Sequence, residues 1–198
     1  TQLCKMIHTK YFEILRQFLG DYNREVYGRE LIDKVKLSQK GIALALEELE
    51  AKSILKSRKE GTLKHYGLNL AYSEIKDIIT LTEFSRKIEF LAKNRMIAHI
   101  FKSDDRIVGI FGSYAKNTQK EGSDFDVFVI GSKKESDYST EGKKLDIDIS
   151  IKYFTKTEWT RMLKEKNNLC KEIINHHVLI FGIESFTDLL WGNYYGFN

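Results

Sequence analysis

Proline is absent from this chain of 198 residues, and cysteine occurs only at Cys4 and Cys170. Two cysteines so far apart, each in a helix-like context, argue against a disulfide framework and for a reducing compartment. No Cys-x-x-Cys pair and no Cys/His zinc spacing occurs, and His176-His177 is an isolated pair. Those histidines read as structural or surface groups. No stretch approaches the ~18 uninterrupted apolar residues of a membrane span. The opening TQLCKMIHTKYFEIL lacks the apolar core and small-residue cleavage site of a signal peptide. A cytoplasmic location without a membrane partner is therefore expected. Internal repeats and low-complexity tracts are missing too.

A hydrophobic content of 42% supports real cores, and 198 residues suit two small domains better than one. Charge is uneven along the chain. Residues 1–102 hold 19 Lys and Arg against 13 Asp and Glu, a net +6, while residues 103–198 hold 13 against 15, a net −2. That division suggests polyanion contact in the first half and metal binding in the second.

The stretch at 109–130, GIFGSYAKNTQKEGSDFDVFVI, organises the chain. Ile107-Val108-Gly109-Ile110-Phe111 reads as a buried strand that breaks at Gly112-Ser113. A polar loop runs from Tyr114 to Ser123, and Asp124 to Ile130 is extended again. Side chains alternate along a strand, so Asp124 and Asp126 share a face, roughly 6.5 Å apart. Phe125, Val127 and Val129 point the other way, into a core. Two like charges on one face call for a cation, and hard oxygen ligands suit Mg²⁺ with substrate phosphate oxygens. Gly112 lets backbone approach such a phosphate. Ser113 adds a hydroxyl donor, and a helix starting there would turn its free N–H groups to the same anion.

GSYAKNTQKEGSDFDVFV resembles the signature of the DNA polymerase β-like nucleotidyltransferase superfamily, in its minimal nucleotidyltransferase branch. The resemblance spans residues 107–183. It implies that Gly112 and Ser113 hold the triphosphate of an NTP, ATP being the expected one; Ser123 and Lys116 or Lys120 are further candidate nucleotide ligands. It implies that Asp124 and Asp126 bind two Mg²⁺ ions. Asn117 stands where the pattern has Gly; Asn is the residue that best tolerates the left-handed backbone there.

Before this stretch, residues 10–19, 29–35 and 39–52 show helical spacing, the last behind a Ser38 cap. Residues 54–58 and 63–68 read as a hairpin with a Gly-containing tip. LEELEAKSILKSRKEGTLKHYGLN resembles the recognition helix and wing of a winged helix-turn-helix. That resemblance implies duplex DNA contact through Ser38, Gln39, Lys40, Lys56, Arg58, Lys59 and Lys64. Residues 72–101 read as one or two helices, with Ile75, Ile78, Leu81, Phe84, Ile88, Leu91 and Ala98 at three- and four-residue steps, nearly heptad from Ile78 to Leu91. The stripe suits internal packing; a homodimer seam is the alternative.

After it, residues 131–142 read as a surface loop. Residues 144–151 alternate as a strand, with Leu145, Ile147, Ile149 and Ile151 on one face and Asp146, Asp148 and Ser150 on the other. Beside the 124–130 strand it would bring in a third carboxylate, which the superfamily uses to complete the metal site and activate the attacking hydroxyl. Both Asp146 and Asp148 face the right way; Asp148 lies nearer the strand's middle. Thr155 and Glu158 form a capping box for a helix at 157–174, where Trp159 reads as a core anchor. Residues 178–181 form a last strand, and an aromatic tail follows.

The expected fold class is α/β (α+β): a winged helix-turn-helix at 1–70, a helical linker at 71–102 and a nucleotidyltransferase domain at 103–198 with a small mixed sheet flanked by helices. The expected activity is Mg²⁺-dependent transfer of a nucleoside monophosphate from an NTP to an acceptor hydroxyl. A nucleic acid, a small molecule or a protein, such as a toxin partner, would accept it. The alternative is a DNA-binding regulator or antitoxin-like partner that binds nucleotide or protein without turnover.

Overall fold

A computed structural model of the protein describes residues 10–120, 122–134 and 138–197; Cys4, Glu121 and residues 135–137 of the polar connection lie outside them. The chain divides into two compact units, Thr1–Ser85 and Arg86–Asn198. Each holds helices around one small sheet, so the architecture is mixed α and β. The first unit has 14 Lys and Arg against 12 Asp and Glu, the second 18 against 16, so each carries a net +2. The surplus of residues 1–102 thus includes cations at the start of the second unit, and the first unit is no basic half.

In the first unit, α1 (Lys10–Leu15) runs into a 3-10 turn, Arg16–Phe18. Strand β1 (Glu25–Tyr27) follows, a three-residue element too short to show a period. The helix expected at 29–35 is only a 3-10 turn, Gly28–Leu31. Asp33 takes a φ of 68°, which a right-handed helix does not admit. Helix α2 (Gln39–Ala51) is capped as expected, the Gly41 N–H donating to Ser38 Oγ at 3.2 Å. Its buried face is Ile42, Ala45, Leu46 and Leu49. Strands β2 (Leu55–Glu60) and β3 (Leu63–Leu68) form the expected antiparallel hairpin, and β1 pairs with β3 to give the order β1-β3-β2.

Helix α3 (Ile75–Lys93) begins in the first unit and ends in the second. Its buried positions are Ile75, Ile79, Thr82, Glu83 and Ser85, whereas Leu81 and Phe84 of the near-heptad stripe are exposed. Asn94 separates α3 from α4 (Arg95–Ala98), so residues 72–101 hold two helices, the second of the two readings.

The second unit is built on four strands in the order β6-β5-β4-β7. Strands β4 (Ile107–Ile110) and β5 (Phe125–Ile130) are antiparallel neighbours at the centre, and β7 (Val178–Phe181) runs antiparallel to β4. Strand β6 (Ile149–Phe154) lies parallel to β5, with Asp126 beside Ser150. Every residue of β4 is buried, as the unbroken apolar run requires.

One face of this sheet packs Phe125, Val127 and Val129 against Ile97, Ile100, Phe101 and Tyr138. The other carries Phe128, whose ring stacks on Trp159 at 6.1 Å and tilts against Phe186 at 5.9 Å. Trp159 is fully buried, a core anchor as expected. Around the sheet lie α5 (Gly112–Lys116), α6 (Tyr138–Lys143), α7 (Lys156–Lys164), α8 (Asn168–Asn175) and α9 (Ile183–Leu189).

The helix expected at 157–174 is two helices: Lys166 is left-handed at φ 51°, and Asn167 caps α8 by accepting from the Leu169 N–H at 2.9 Å. The strand expected at 144–151 starts at Ile149, because residues 144–146 form a turn with Asp146 at φ 56°. Leu145, Ile147, Ile149 and Ile151 nevertheless all pack on the same core, as their alternation implies. The tail forms a π-helical turn, Leu190–Tyr194, with the Tyr195 and Phe197 rings stacked at 5.5 Å. Among the described residues no helix is long and apolar enough to cross a membrane.

Candidate active site

Strand β4 delivers the chain directly to the carboxylates of β5. The Phe111 N–H donates to the Asp126 carbonyl at 3.0 Å, so pairing persists one residue past β4. Gly112 then turns the chain at φ 69°, and a Cβ placed there would stand 2.4 Å from Asp126 Oδ2. Backbone therefore lies against the carboxylate, at a position where only glycine fits. The five residues of α5 end at Asn117, which takes the left-handed conformation at φ 56° and ψ 38°. The Thr118 N–H donates to the Ser113 carbonyl at 2.9 Å and closes the turn. Gly112 and Ser113 are thus fixed between Asp126 on one side and the Asn117 turn on the other.

Residues 95–185 match the family model described as Polymerase beta, Nucleotidyltransferase. No curated protein and no solved structure matches the chain. The match runs from α4 into α9 and takes in every carboxylate predicted for the site. It supports the nucleotidyltransferase superfamily for this segment, and with it a nucleotidyltransferase-type function.

In the nucleotidyltransferase-like unit Asp126 is half-buried and Asp124 exposed. Burial, and then the negative charge of Asp124, hold the Asp126 carboxyl above its usual range; Glu172 adds to this, while Lys152 and a Ser150 hydrogen bond oppose it. A carboxylate so destabilised is relieved by a cation. Two carboxylates offer hard oxygen donors of the kind that a Mg²⁺-type ion takes. Asp148 is exposed just before β6, and its carbonyl accepts from the Phe125 N–H at 2.9 Å, so it continues the parallel register beside Asp124. Asp146 is exposed in the preceding turn, off the strand. Among the described residues no three His, Cys, Asp or Glu side chains are gathered closely enough to hold a metal ion. The structure sets Asp126 beside Gly112 and within the field of Asp124, and does not gather Asp146 or Asp148 with them into a metal-holding group.

The other predicted nucleotide ligands are engaged locally. Ser123 Oγ accepts from the Lys120 N–H at 2.9 Å, shaping the loop that leads to Asp124. Lys116 Nζ donates to Glu172 Oε1 on α8 at 2.8 Å. His176 follows α8; burial, then Lys116 and Arg86, push its imidazole below the usual value. His177 is fully buried, with Nδ1 2.8 Å from the Ile174 carbonyl, a structural group as expected. Cys170 is buried and free, and burial pushes its thiol up to about 12.

Three residues around Asp126 carry no assigned role in the sequence reading: Ser150, Lys152 and Glu172. Ser150 and Lys152 continue the alternation that starts at Asp148, so period two could have found them. Glu172 has no local signal, because only the return of α8 brings it near.

The residues proposed for DNA contact lie in the first unit, where Gln39, Lys40, Lys56, Arg58 and Lys59 are exposed. Arg58 is paired with both Glu25 and Glu60, at 2.7 and 2.6 Å. Lys64 is paired with Glu50 at 2.6 Å and lies over the Tyr66 ring.

Proposed function

We propose that the Arg86–Asn198 unit moves a nucleoside monophosphate, AMP from ATP in the first instance, to an acceptor hydroxyl. The observation that carries this reading is the packing of Gly112 against Asp126. It joins a phosphate-holding turn to a carboxylate pair within one short segment, so a triphosphate on the first lies against the second. In the proposed mechanism the Ser113 hydroxyl and Lys116 hold the β- and γ-phosphates. Asp124 and Asp126 would hold two Mg²⁺ ions, with Asp148 brought in from the neighbouring register position when the ions bind. Such ions, when bound, supply charge neutralisation and alignment of the attacking and leaving oxygens. The acceptor oxygen attacks the α-phosphorus, the bond to the bridging oxygen breaks, and pyrophosphate leaves. Asp148 is proposed to take the acceptor proton.

For the first unit we propose a winged-helix module, with α2 as recognition helix and the β2–β3 hairpin as wing. The order of helix, hairpin and third strand supports it. The expected duplex contacts are Gln39, Lys40, Lys56, Arg58, Lys59 and Lys64, and Arg58 and Lys64 would exchange a carboxylate for a phosphate on binding, which lowers their net contribution. Incubation with α-labelled NTPs, Mg²⁺ and cell lysate tests the enzyme reading. Transfer of label to an acceptor supports it; nucleotide binding with no transfer to any acceptor favours the non-catalytic alternative.

A further inference from the structure

The geometry points to Glu172 as a counter-ion gate: its carboxylate holds Lys116 in the nucleotide-free protein and surrenders it to the triphosphate of an incoming NTP. This inference rests on the nucleotidyltransferase reading and adds a residue from outside the signature stretch. Lys116 ends α5, whose first residue Gly112 lies against Asp126, and its partner Glu172 acts on the Asp126 carboxyl. Its ammonium is held at 2.8 Å by Glu172, yet the two side chains remain 35% and 44% exposed. An exposed pair of this kind is weak and easily exchanged. A polyphosphate offers the lysine several oxygens where Glu172 offers one carboxylate. Glu172 also contributes to the negative field at Asp126, so its charge opposes the triphosphate as well as competing for the lysine. Helix α8 does not depend on the pair, since Cys170, Ile173 and Ile174 bury its other face and Asn167 caps it.

A staple and a gate predict opposite signs. If Glu172 merely braced α5, neutralising it would loosen the turn and weaken nucleotide binding. If it gates Lys116, Glu172→Gln binds Mg²⁺·ATP about two- to fivefold tighter than wild type, the range an exposed ion pair supports. The experiment is calorimetric titration of the full chain with Mg²⁺·ATP at low salt, for wild type, Glu172→Gln, Lys116→Gln and the double variant. Tighter binding by Glu172→Gln, shrinking as salt is raised and largely lost when Lys116 is Gln, supports the gate. Affinity equal to or below wild type, or an undiminished gain in the Lys116→Gln background, overturns the gate while leaving the nucleotide reading intact. Failure of wild type to bind any Mg²⁺·NTP removes both. Thermal melts of each variant report whether the fold is kept.

Discussion

At Gly112 a single methyl group separates two outcomes. Its φ of 69° is strained for any other residue, by about 1–2 kcal/mol. The added carbon would also stand 2.4 Å from Asp126 Oδ2 and displace the carboxylate. Gly112→Ala should lower label transfer by roughly 100-fold, the scale expected when a reacting group shifts by about an ångström, and lower the unfolding free energy measurably. Asp126 makes a second prediction, with a definite sign. Burial and the charge of Asp124 raise its carboxyl, so the folded chain holds that proton more tightly than the unfolded chain. Its contribution is therefore present at low pH and lost as pH rises through the raised value. Without divalent cation, Asp126→Asn should melt above wild type at pH ~7, and the gap should close toward pH ~4. A wild type that melts as high as the variant at neutral pH contradicts the described environment. Gly112, Ser113, Asp124 and Asp126 were all legible because strand period and turn chemistry act within a few residues. Glu172 was not, because no local pattern states where α8 returns.

At the scale of elements, the end of β4 opposite the carboxylates is tied by a buried ion pair. Arg106 Nε and Nη2 donate to Asp104 at 2.9 and 2.7 Å, and Nη1 donates to the Ser132 carbonyl beyond β5 at 2.7 Å. Tyr138, the first residue of α6, donates its hydroxyl to the same carboxylate. Burial alone would raise the Asp104 carboxyl; the hydrogen bonds from Arg106 and Tyr138 outweigh it and hold the group well below the usual carboxylate range. Its stabilisation is therefore present above that range and lost only as pH falls through it into strong acid. Asp104→Asn leaves the Arg106 guanidinium buried and unpaired, and should cost about 3–5 kcal/mol in denaturant unfolding at neutral pH. The Ser38 cap, the Thr155–Glu158 capping box and the β2–β3 hairpin were readable from the sequence because caps and turns are short-range. The break at Lys166-Asn167 is not legible because apolar spacing runs through it, nor is β1, because three residues hold no period. The start of β6 at Ile149 is hidden for a related reason: Leu145 in the turn and Ile147 just after it pack on the core, so burial keeps the alternation while the backbone lies off the ladder.

At the scale of the whole molecule, the charge argument changes with the boundary. Drawn at Ser85 and Arg86, each unit carries a net +2, so duplex affinity depends on particular side chains and not on a basic half. Arg58 and Lys64 are already paired with carboxylates, whereas Lys56 and Lys59 are exposed on the hairpin. If the hairpin meets DNA, Lys56→Ala with Lys59→Ala should weaken salt-sensitive gel-shift binding more than Arg58→Ala with Lys64→Ala, and should flatten the dependence on salt. Equal loss from both pairs contradicts the ion-pair argument, and no binding at low salt removes the DNA proposal. The measurement that bears most directly on the whole account is transfer of label from α-labelled ATP with Mg²⁺ and lysate, compared between wild type and the Asp124→Ala and Asp126→Ala variants. The account predicts a labelled acceptor with wild type and none with either variant, while both variants keep the wild-type circular dichroism spectrum. Undiminished labelling by the folded variants would contradict it.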